Sequence, residues 1–219
     1  MELTAALIQA RTPARVLADK PAPTVPEEVL RRDAGRVLSE RQGSGLWVFA
    51  YGALIWERNF QYDGEQVGTV QGLLRRYCLR DVSNRGTPGR PSLTLGLDPG
   101  KGECDGVLIH LAEAGLERNF WAVWQHEMVS GFYDARWVQA ATAEGVVDAV
   151  TFVANPLHPL FAGQLPEAEI AAILAATAGP GGPAAEYLRC TAEAMRKRGA
   201  PDAYLDRLCA AVAARLQPA

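Results

Sequence analysis

The sequence predicts an α+β fold, in which a small curved sheet or barrel carries flanking helices. Three observations support this class. β-forming segments follow one another from residue 46 to about residue 160, a helical pattern runs from Pro166 to the end, and residues 1–45 are polar and helix-prone. With 219 residues and 48% hydrophobic side chains, the chain is long enough to build one core.

The N-terminal region is predicted to be a helical arm with a linker. Its proline cluster, which we interpret as a hinge or linker, consists of Pro21, Pro23 and Pro26. A Gly-Ser-Gly segment at residues 43–45 then separates the arm from the rest. We therefore predict an arm at residues 1–45 and a main domain at residues 46–219.

The main domain begins with β-forming segments. They predict strands at residues 46–51, 65–81, 92–97, 104–111 and 146–153. The sequence Asp98-Pro99-Gly100 is typical of a turn, so it predicts that the third and fourth of these strands form a hairpin. One helix interrupts the series, at about residues 112–128, and the barrel as a whole is expected at about residues 46–160.

The end of the chain is predicted to be helical. Apolar periodicity indicates helices at residues 167–178, 183–198 and 202–216, within a C-terminal helical region of about 166–217. A glycine-rich segment at residues 179–182 separates the first helix from the second.

Composition excludes several classes of function. A net charge of −3 gives no reason to expect nucleic acid or an anionic membrane as partner, so a small-molecule substrate is the better expectation. We see no targeting or membrane segment and expect a cytoplasmic protein.

The four cysteines show no CxxC spacing and are expected to be reduced thiols in or near the core. His126-Glu127 begins like a zinc HExxH motif, but Ser130 stands where the second histidine is needed, so no metal is expected.

Glu127 is a candidate catalytic acid. It continues one face of the helix predicted at residues 112–128, whose other members are apolar: Leu116, Phe120, Val123 and Trp124. A carboxylate on a buried stripe rarely lacks a partner or a role. Desolvation would raise its pKa, as a general acid or base near neutral pH requires.

A structural role for Glu127 is the alternative. The carboxylate either reaches solvent at the helix end near Gly131 or forms an ion pair with an arginine. The candidates for such a pair are Arg75, Arg76 and Arg136. Periodicity alone favours this alternative.

Two glycine-containing turns are candidate anion sites. In the segment 47–56 a β-strand runs into Gly52, and the backbone N–H groups that follow could surround a carboxylate. The segment 179–183 precedes a helix whose Tyr187 could reach the same ligand. The second turn lacks the Lys-Ser/Thr of a phosphate loop, which argues against nucleotide binding. Taken singly, each turn is better explained as an ordinary connection.

Taken together, these segments resemble the ChaC family in order and type. The matching motifs are Tyr51-Gly52-Ala53-Leu54-Ile55-Trp56, Arg85-Gly86-Thr87, Glu127-Met128 with Gly131 and Tyr133, and Gly179-Pro180-x-Gly182 with Tyr187-Leu188. The resemblance covers about residues 45–205. It implies a small barrel of the γ-glutamylcyclotransferase-like type with flanking helices, and bacterial members also carry an N-terminal helical arm.

The resemblance implies an activity and a set of site residues. Members of the family cleave glutathione to 5-oxoproline and cysteinylglycine without a cofactor or a metal. Glu127 matches the catalytic glutamate, and residues 51–55 match the loop that holds the γ-glutamyl group. The further substrate-binding residues implied are Arg75, Tyr133 and Tyr187. The oligomeric state is left open.

Two residues depart from the family pattern. Ala53 stands where serine is usual, and we expect it to be tolerated if the loop works through its backbone N–H groups. Those groups would hold the substrate carboxylate or stabilise the oxyanion, and both options remain open. His126 stands where arginine is common. Because adjacent helix positions are about 100° apart, we expect His126 to be peripheral to Glu127.

Two rival functions stay open at this point. One is a cyclotransferase for other γ-glutamyl amines or dipeptides. The other is a non-enzymatic regulator of cation transport, a role long ascribed to family members. A buried Glu127 without an ion-pair partner, facing the Tyr51 loop, favours an enzyme, whereas an ion pair that closes off this acid favours the regulator.

Overall fold

The computed structural model describes residues 2–14 and 24–217. Its helices are α1 (Ala5–Arg11), α2 (Glu27–Glu40), α3 (Leu116–Met128), α4 (Glu167–Ala176), α5 (Ala184–Lys197) and α6 (Ala203–Leu216). Its strands are β1 (Leu46–Ala50), β2 (Gly64–Asp81), β3 (Ser92–Leu111), β4 (Tyr133–Thr142), β5 (Gly145–Ala154), β6 (Ala178–Gly179) and β7 (Gly182–Pro183). The predicted α+β class is confirmed.

The chain divides into two compact units. Among the described residues, the barrel unit comprises 24–75 and 96–158, and the helical unit comprises 2–14, 76–95 and 159–217. Strands β2 and β3 have residues in both units. Of the predicted hinge prolines, Pro26 immediately precedes α2, whereas Pro21 and Pro23 lie outside the described residues.

Five strands close a barrel in the order β1-β3-β2-β4-β5. β1 is antiparallel to β3, and β4 is antiparallel to both β2 and β5. β5 completes the barrel by lying parallel to β1 at the pair Val48–Val150. Apolar side chains from these strands are fully buried, including Phe49, Leu97, Val107 and Ile109. The barrel therefore offers rigid strand ends on which a site can be built.

The hairpin predicted within residues 92–111 is wrong, because β3 is one continuous strand. The Asp98-Pro99-Gly100 sequence lies in its exposed middle. A Cβ atom at Gly100 or Gly102 would lie 3.1 or 2.5 Å from the side chain of Leu74 on β2. The glycines therefore make room for a residue of the neighbouring strand and do not mark a turn.

Strand β4 is the barrel strand that the sequence does not predict. It pairs with β5 residue by residue, from Tyr133–Ala154 to Thr142–Gly145. Most of its side chains are only partly buried and its polar residues do not alternate regularly, so the period-2 signal is weak.

Helices α2 and α3 pack against each other in the barrel unit. Helix α2 buries Leu30, Ala34 and Val37, and an ordinary backbone hydrogen bond joins Val25 N to Val129 O (2.8 Å) beyond the end of α3. Helix α3 begins at Leu116, four residues later than predicted, because Gly115 precedes it in a left-handed conformation (φ 80°).

The helical unit contains α1 and the three C-terminal helices, at bounds close to those predicted. α6 packs on both α4 and α5, and α1 contacts α5 and α6. The glycine-rich turn forms the small β6–β7 hairpin. A Cβ atom at Gly179 would lie 2.4–2.7 Å from the backbone of Asn84 and Gly86, so this position accepts no side chain.

None of the four cysteines, all of which lie in the described residues, forms a disulfide bond; Cys78, Cys104 and Cys209 are buried and Cys190 is half-buried, as predicted. Across residues 2–14 and 24–217, no helix has the length and apolar character needed to span a bilayer. In the same residues, no three or more of the His, Cys, Asp and Glu side chains cluster in a way that could hold a metal ion.

Candidate active site

Glu127 lies in the last turn of α3, as its place on the apolar stripe predicts. The stripe residues Leu116, Phe120, Val123 and Trp124 are all buried. The Glu127 side chain is only 13% exposed. The helix therefore carries a mostly desolvated carboxyl group at the end of its buried face.

The ion-pair alternative for Glu127 is not supported. Within the described part of the chain, its carboxylate has no arginine or lysine within 4.0 Å, and Arg136 instead lies 3.9 Å from Asp134. No hydrogen bond to the Glu127 side chain is formed by the described residues either. Burial raises the pKa of Glu127 above that of an ordinary glutamate, and nearby His126 opposes part of this rise.

His126 is closer to Glu127 than expected. Its Nε2 atom lies 4.0 Å from Glu127 Oε1, and its side chain is 32% exposed. The backbone positions diverge by about 100° on the helix, but two long side chains near a helix end can turn toward each other. The expectation that His126 is peripheral is therefore wrong, since its imidazole lies close enough to the acid to oppose the rise in its pKa.

The loop after β1 has every carbonyl group occupied. The Tyr51 carbonyl accepts from Arg75 Nε (2.8 Å), and the Gly52 carbonyl accepts from the Ile55 amide (3.1 Å). The Ala53 carbonyl accepts from the amides of residues 56 and 57 (2.9 and 2.7 Å). Arg58 donates to the last two carbonyls, at residues 54 and 55 (2.8 and 3.1 Å).

The first amide N–H groups of the same loop differ from its carbonyls in their hydrogen bonding. Considering the described residues only, the N–H groups of Gly52, Ala53 and Leu54 donate to no protein acceptor. These three successive residues precede or form the short 3-10 turn Ala53–Ile55. The loop therefore presents donors and no acceptors, which suits a carboxylate or an oxyanion.

Arg75 supports this loop from within the barrel unit. It is 5% exposed, and besides the Tyr51 carbonyl it donates through Nη2 to the Asp105 carbonyl (2.5 Å). The family resemblance implies that Arg75 binds substrate. In the structure, its Nε and Nη2 atoms donate instead to backbone carbonyls of the protein.

A chain of contacts connects the loop to the acid. The Tyr51 hydroxyl donates to the Phe152 carbonyl on β5 (2.6 Å). The Phe152 ring packs edge-on against Trp124, with ring centroids 6.0 Å apart. Trp124 lies three residues before Glu127 on the same helix face. The loop and the acid are thus held on a common framework of β5 and α3.

The remaining predicted site residues lie on different elements. Tyr133 starts β4, is half-buried and packs edge-on against Phe132. Tyr187 belongs to the helical unit, on α5, where its ring is 6.1 Å from that of Tyr77 and 5.9 Å from the Arg85 guanidinium. Arg85 also donates to the Gly181 carbonyl of the glycine-rich turn.

Arg58 is the residue that sequence reasoning misses. It lies three residues beyond the matched loop, in a segment without regular structure. The signal available was weak: an arginine close after a turn, with Tyr62 and Glu65 a few residues further along.

Comparison with known proteins identifies relatives over most of the chain. Residues 46–215 match the family model for ChaC-like proteins. The glutathione-specific γ-glutamylcyclotransferase of Escherichia coli (strain K12) is 34% identical over 168 residues, which cover 76% of this chain and 72% of that protein. The glutathione-specific γ-glutamylcyclotransferase 1 of Danio rerio is 31% identical over 181 residues, covering 80% and 92%. The Homo sapiens protein of the same name is 33% identical over 173 residues, covering 76% and 77%.

A solved structure shares the fold. The crystal structure of a glutathione-specific γ-glutamyl cyclotransferase from yeast superposes with a TM-score of 0.70 at 19% identity. The match covers 80% of this chain and 100% of that chain. The barrel type that the resemblance implies is therefore confirmed.

Proposed function

This chain belongs to the ChaC-like protein family, and from that premise we propose that it is a γ-glutamylcyclotransferase that cleaves glutathione to 5-oxoproline and cysteinylglycine. The observation that carries the proposal at the level of chemistry is Glu127. A mostly buried carboxyl with a raised pKa, and with no basic side chain of the described chain within 4.0 Å other than His126, is suited to proton transfer near neutral pH.

We propose that Glu127 carries the proton transfers of an intramolecular aminolysis. The carboxylate takes a proton from the α-ammonium group, and the freed amine attacks the γ-carbonyl carbon to form the ring C–N bond. The amide C–N bond to cysteine then breaks. The attacking nitrogen loses two protons in total and the departing nitrogen gains two on becoming an ammonium group, so one carboxyl can carry them in turn.

The loop after β1 is proposed to hold the folded substrate. The three free amides at Gly52, Ala53 and Leu54 suit either the α-carboxylate or the oxygen of the tetrahedral intermediate. Holding the amine against the γ-carbonyl saves the entropy of bringing them together. Tyr133 and Tyr187 remain proposed substrate contacts.

Two broader assignments belong to the same proposal. The catalytic region would be residues 46–219 with residues 1–45 as an arm, which the family match over residues 46–215 supports. A cytoplasmic location would agree with four cysteines that form no disulfide bond, since glutathione keeps thiols reduced there.

The test is incubation of the purified chain with glutathione and detection of 5-oxoproline and cysteinylglycine. Glu127→Gln is expected to lower kcat by at least about a hundredfold, because it removes the proton carrier. Glu117→Gln, an exposed change on the same helix, serves as the matched control and should leave kcat unchanged.

Stability measurements show whether Glu127→Gln is folded. A carboxyl whose pKa is raised in the folded state contributes stability below its unfolded pKa and loses that contribution as pH rises through the folded pKa. The neutral glutamine should therefore make the variant at least as thermally stable as wild type at neutral pH. Equal turnover in wild type and a folded Glu127→Gln would reject the assigned acid.

The substrate assay separates the rival functions. Turnover of γ-glutamyl amines or dipeptides, but not of glutathione, would keep the chemistry and replace the substrate. Absence of 5-oxoproline from every γ-glutamyl compound would reject the enzyme and favour the cation-transport regulator.

A further inference from the structure

Arg58 closes the end of the loop that we propose binds the γ-glutamyl group. Its Nε donates to the Leu54 carbonyl (2.8 Å), and its Nη2 donates to the Ile55 carbonyl (3.1 Å). One guanidinium thus binds two successive backbone carbonyls. A planar fork with several N–H donors can do this, whereas a lysine ammonium offers a single point of attachment.

The guanidinium is itself held in place by side chains of the barrel unit. Its Nη1 donates to Glu65 Oε2 (2.6 Å), and its Cζ lies 4.5 Å from the centre of the Tyr62 ring. The Arg58 side chain is only 9% exposed although it lies outside any helix or strand. Because each guanidinium nitrogen donates a hydrogen bond, the loop carbonyls are bound to a fixed partner.

The orientation of these carbonyls is passed along the loop through its peptide planes. In a trans peptide, the C=O of one residue and the N–H of the next point in opposite directions. Fixing the carbonyls of Leu54 and Ile55 therefore fixes the N–H groups of Ile55 and Trp56. Those two N–H groups are the donors to the carbonyls of Gly52 and Ala53.

The same rule applies once more toward the start of the loop. Carbonyls fixed at Gly52 and Ala53 set the direction of the N–H groups of Ala53 and Leu54, which have no protein acceptor among the described residues. Arg75 fixes the third free amide, that of Gly52, by holding the Tyr51 carbonyl.

We infer that Arg58 is a positioning residue, which preorganises the amides of Ala53 and Leu54 to bind the charged oxygen of a γ-glutamyl substrate. Its effect on catalysis rests on the proposed function, whereas its effect on the loop does not. A donor aimed in advance at the charged atom costs no reorganisation during the reaction.

Kinetics with glutathione provide the first test. Arg58→Ala is expected to lower kcat/KM by about tenfold or more, because small errors in donor placement are costly in an active site. Arg58→Lys should recover part of this loss, and added methylguanidinium should partly restore Arg58→Ala where an equal concentration of sodium chloride does not. A fall in kcat alone assigns the amides to the oxyanion, and a rise in KM alone assigns them to the carboxylate.

Arg41→Ala is the matched control. Arg41 also bridges a backbone carbonyl and a carboxylate, at Leu38 (3.3 Å) and Glu113 (2.7 Å), but contacts no part of the loop. Its kcat/KM should stay within about twofold of wild type. An unchanged kcat/KM in Arg58→Ala, or an equal fall in Arg41→Ala, would overturn the inference.

Amide hydrogen exchange tests the loop without using activity. The N–H groups of Ile55 and Trp56 should exchange about tenfold faster in Arg58→Ala than in wild type, and Arg41→Ala should not change them. Unchanged exchange rates overturn the inference whatever the kinetics show. Absence of glutathione turnover in wild type, together with accelerated exchange in Arg58→Ala, would instead reject the proposed function and keep the positioning role.

Discussion

His126 and Glu127 form a small electrostatic unit at the end of α3. The imidazole and the carboxyl group are 4.0 Å apart, and no other ionisable group of the described chain forms an ion pair with Glu127. Burial raises the Glu127 pKa and a protonated His126 lowers it, so the two effects oppose each other. The histidine therefore offsets part of the rise in the Glu127 pKa that burial causes.

Replacing His126 with glutamine should move the acid limb of the pH profile. Without a neighbouring cation the Glu127 pKa rises, so the ionised base appears only at higher pH. The acid limb of kcat/KM for glutathione should shift to higher pH, while the alkaline plateau changes little. His110→Gln is the control, because that imidazole pairs with Asp63. A limb that stays in place, or that moves to lower pH, would contradict this account.

Sequence patterns reveal some of these residues and not others. The helical stripe identified Glu127 because burial of four apolar neighbours is a property of spacing. The sequence cannot decide between a catalytic and an ion-paired Glu127, because an ion pair depends on where the ends of long arginine side chains lie in space. The sequence does not reveal Arg58 for the same reason, since its partners in the loop are backbone carbonyls, which no sequence pattern encodes.

At the scale of elements, the short connection between α3 and β4 fixes where Glu127 ends its helix. Gly131 has a left-handed backbone (φ 72°), and its amide donates to the Met128 carbonyl (3.1 Å). A residue with a Cβ atom adopts this conformation only with strain. The glycine therefore allows α3 to end at Met128, one residue after Glu127, and β4 to begin at Tyr133.

Gly131→Ala should both destabilise the protein and impair catalysis. The backbone strain costs about 1 kcal/mol of unfolding free energy, because the added Cβ itself meets only ordinary contacts. If the strain is relieved by a shift of the α3 end, kcat falls with it. Urea unfolding and glutathione kinetics measure the two effects.

Gly199→Ala is a closely matched control for this change. Gly199 follows α5 with nearly the same backbone angle (φ 73°), and a Cβ atom there would meet nothing within 4 Å. It should lose similar stability and keep its kcat. Equal losses of kcat in both variants would mean that strain acts through general stability and that the α3 end is not special.

The sequence predicts an element correctly where one pattern, such as apolar periodicity, is clear. The three C-terminal helices have apolar periodicity and clear breaks, and their bounds differ from the prediction by two residues at most. The turn predicted at Asp98-Pro99-Gly100 is wrong because these residues lie in an exposed part of strand β3, where glycines leave room for the Leu74 side chain. Strand β4 is not predicted from the sequence because its pairing with β5, rather than its own composition, makes it a strand.

At the scale of the whole chain, helix α2 is part of the barrel unit although it precedes the family match at residue 46. It packs on α3 and buries three apolar side chains, and Arg31 lies 4.3 Å above the Trp121 ring of α3. Removing the arm would therefore uncover apolar surface on the helix that carries Glu127.

Leu30→Ala tests how much α2 contributes. A leucine that is 5% exposed should cost about 2–5 kcal/mol of unfolding free energy when truncated, because a cavity remains. Arg36→Ala, which removes an exposed ion pair with Glu40 on the same helix, should cost less than about 1 kcal/mol. Similar small losses in both variants would show that α2 docks too weakly to matter for the barrel unit.

In the Tyr51 loop, the hydrogen bonds accepted by the carbonyls constrain the number of residues more strongly than the identity of their side chains. The carbonyls from Gly52 to Ile55 are each matched to donors a few residues further along the chain, ending with Arg58. A changed side chain at position 53 leaves those pairings intact. An insertion or deletion of a single residue between Gly52 and Arg58 would disrupt the pairings that span it, so this loop should tolerate a change of side chain more readily than a change of length.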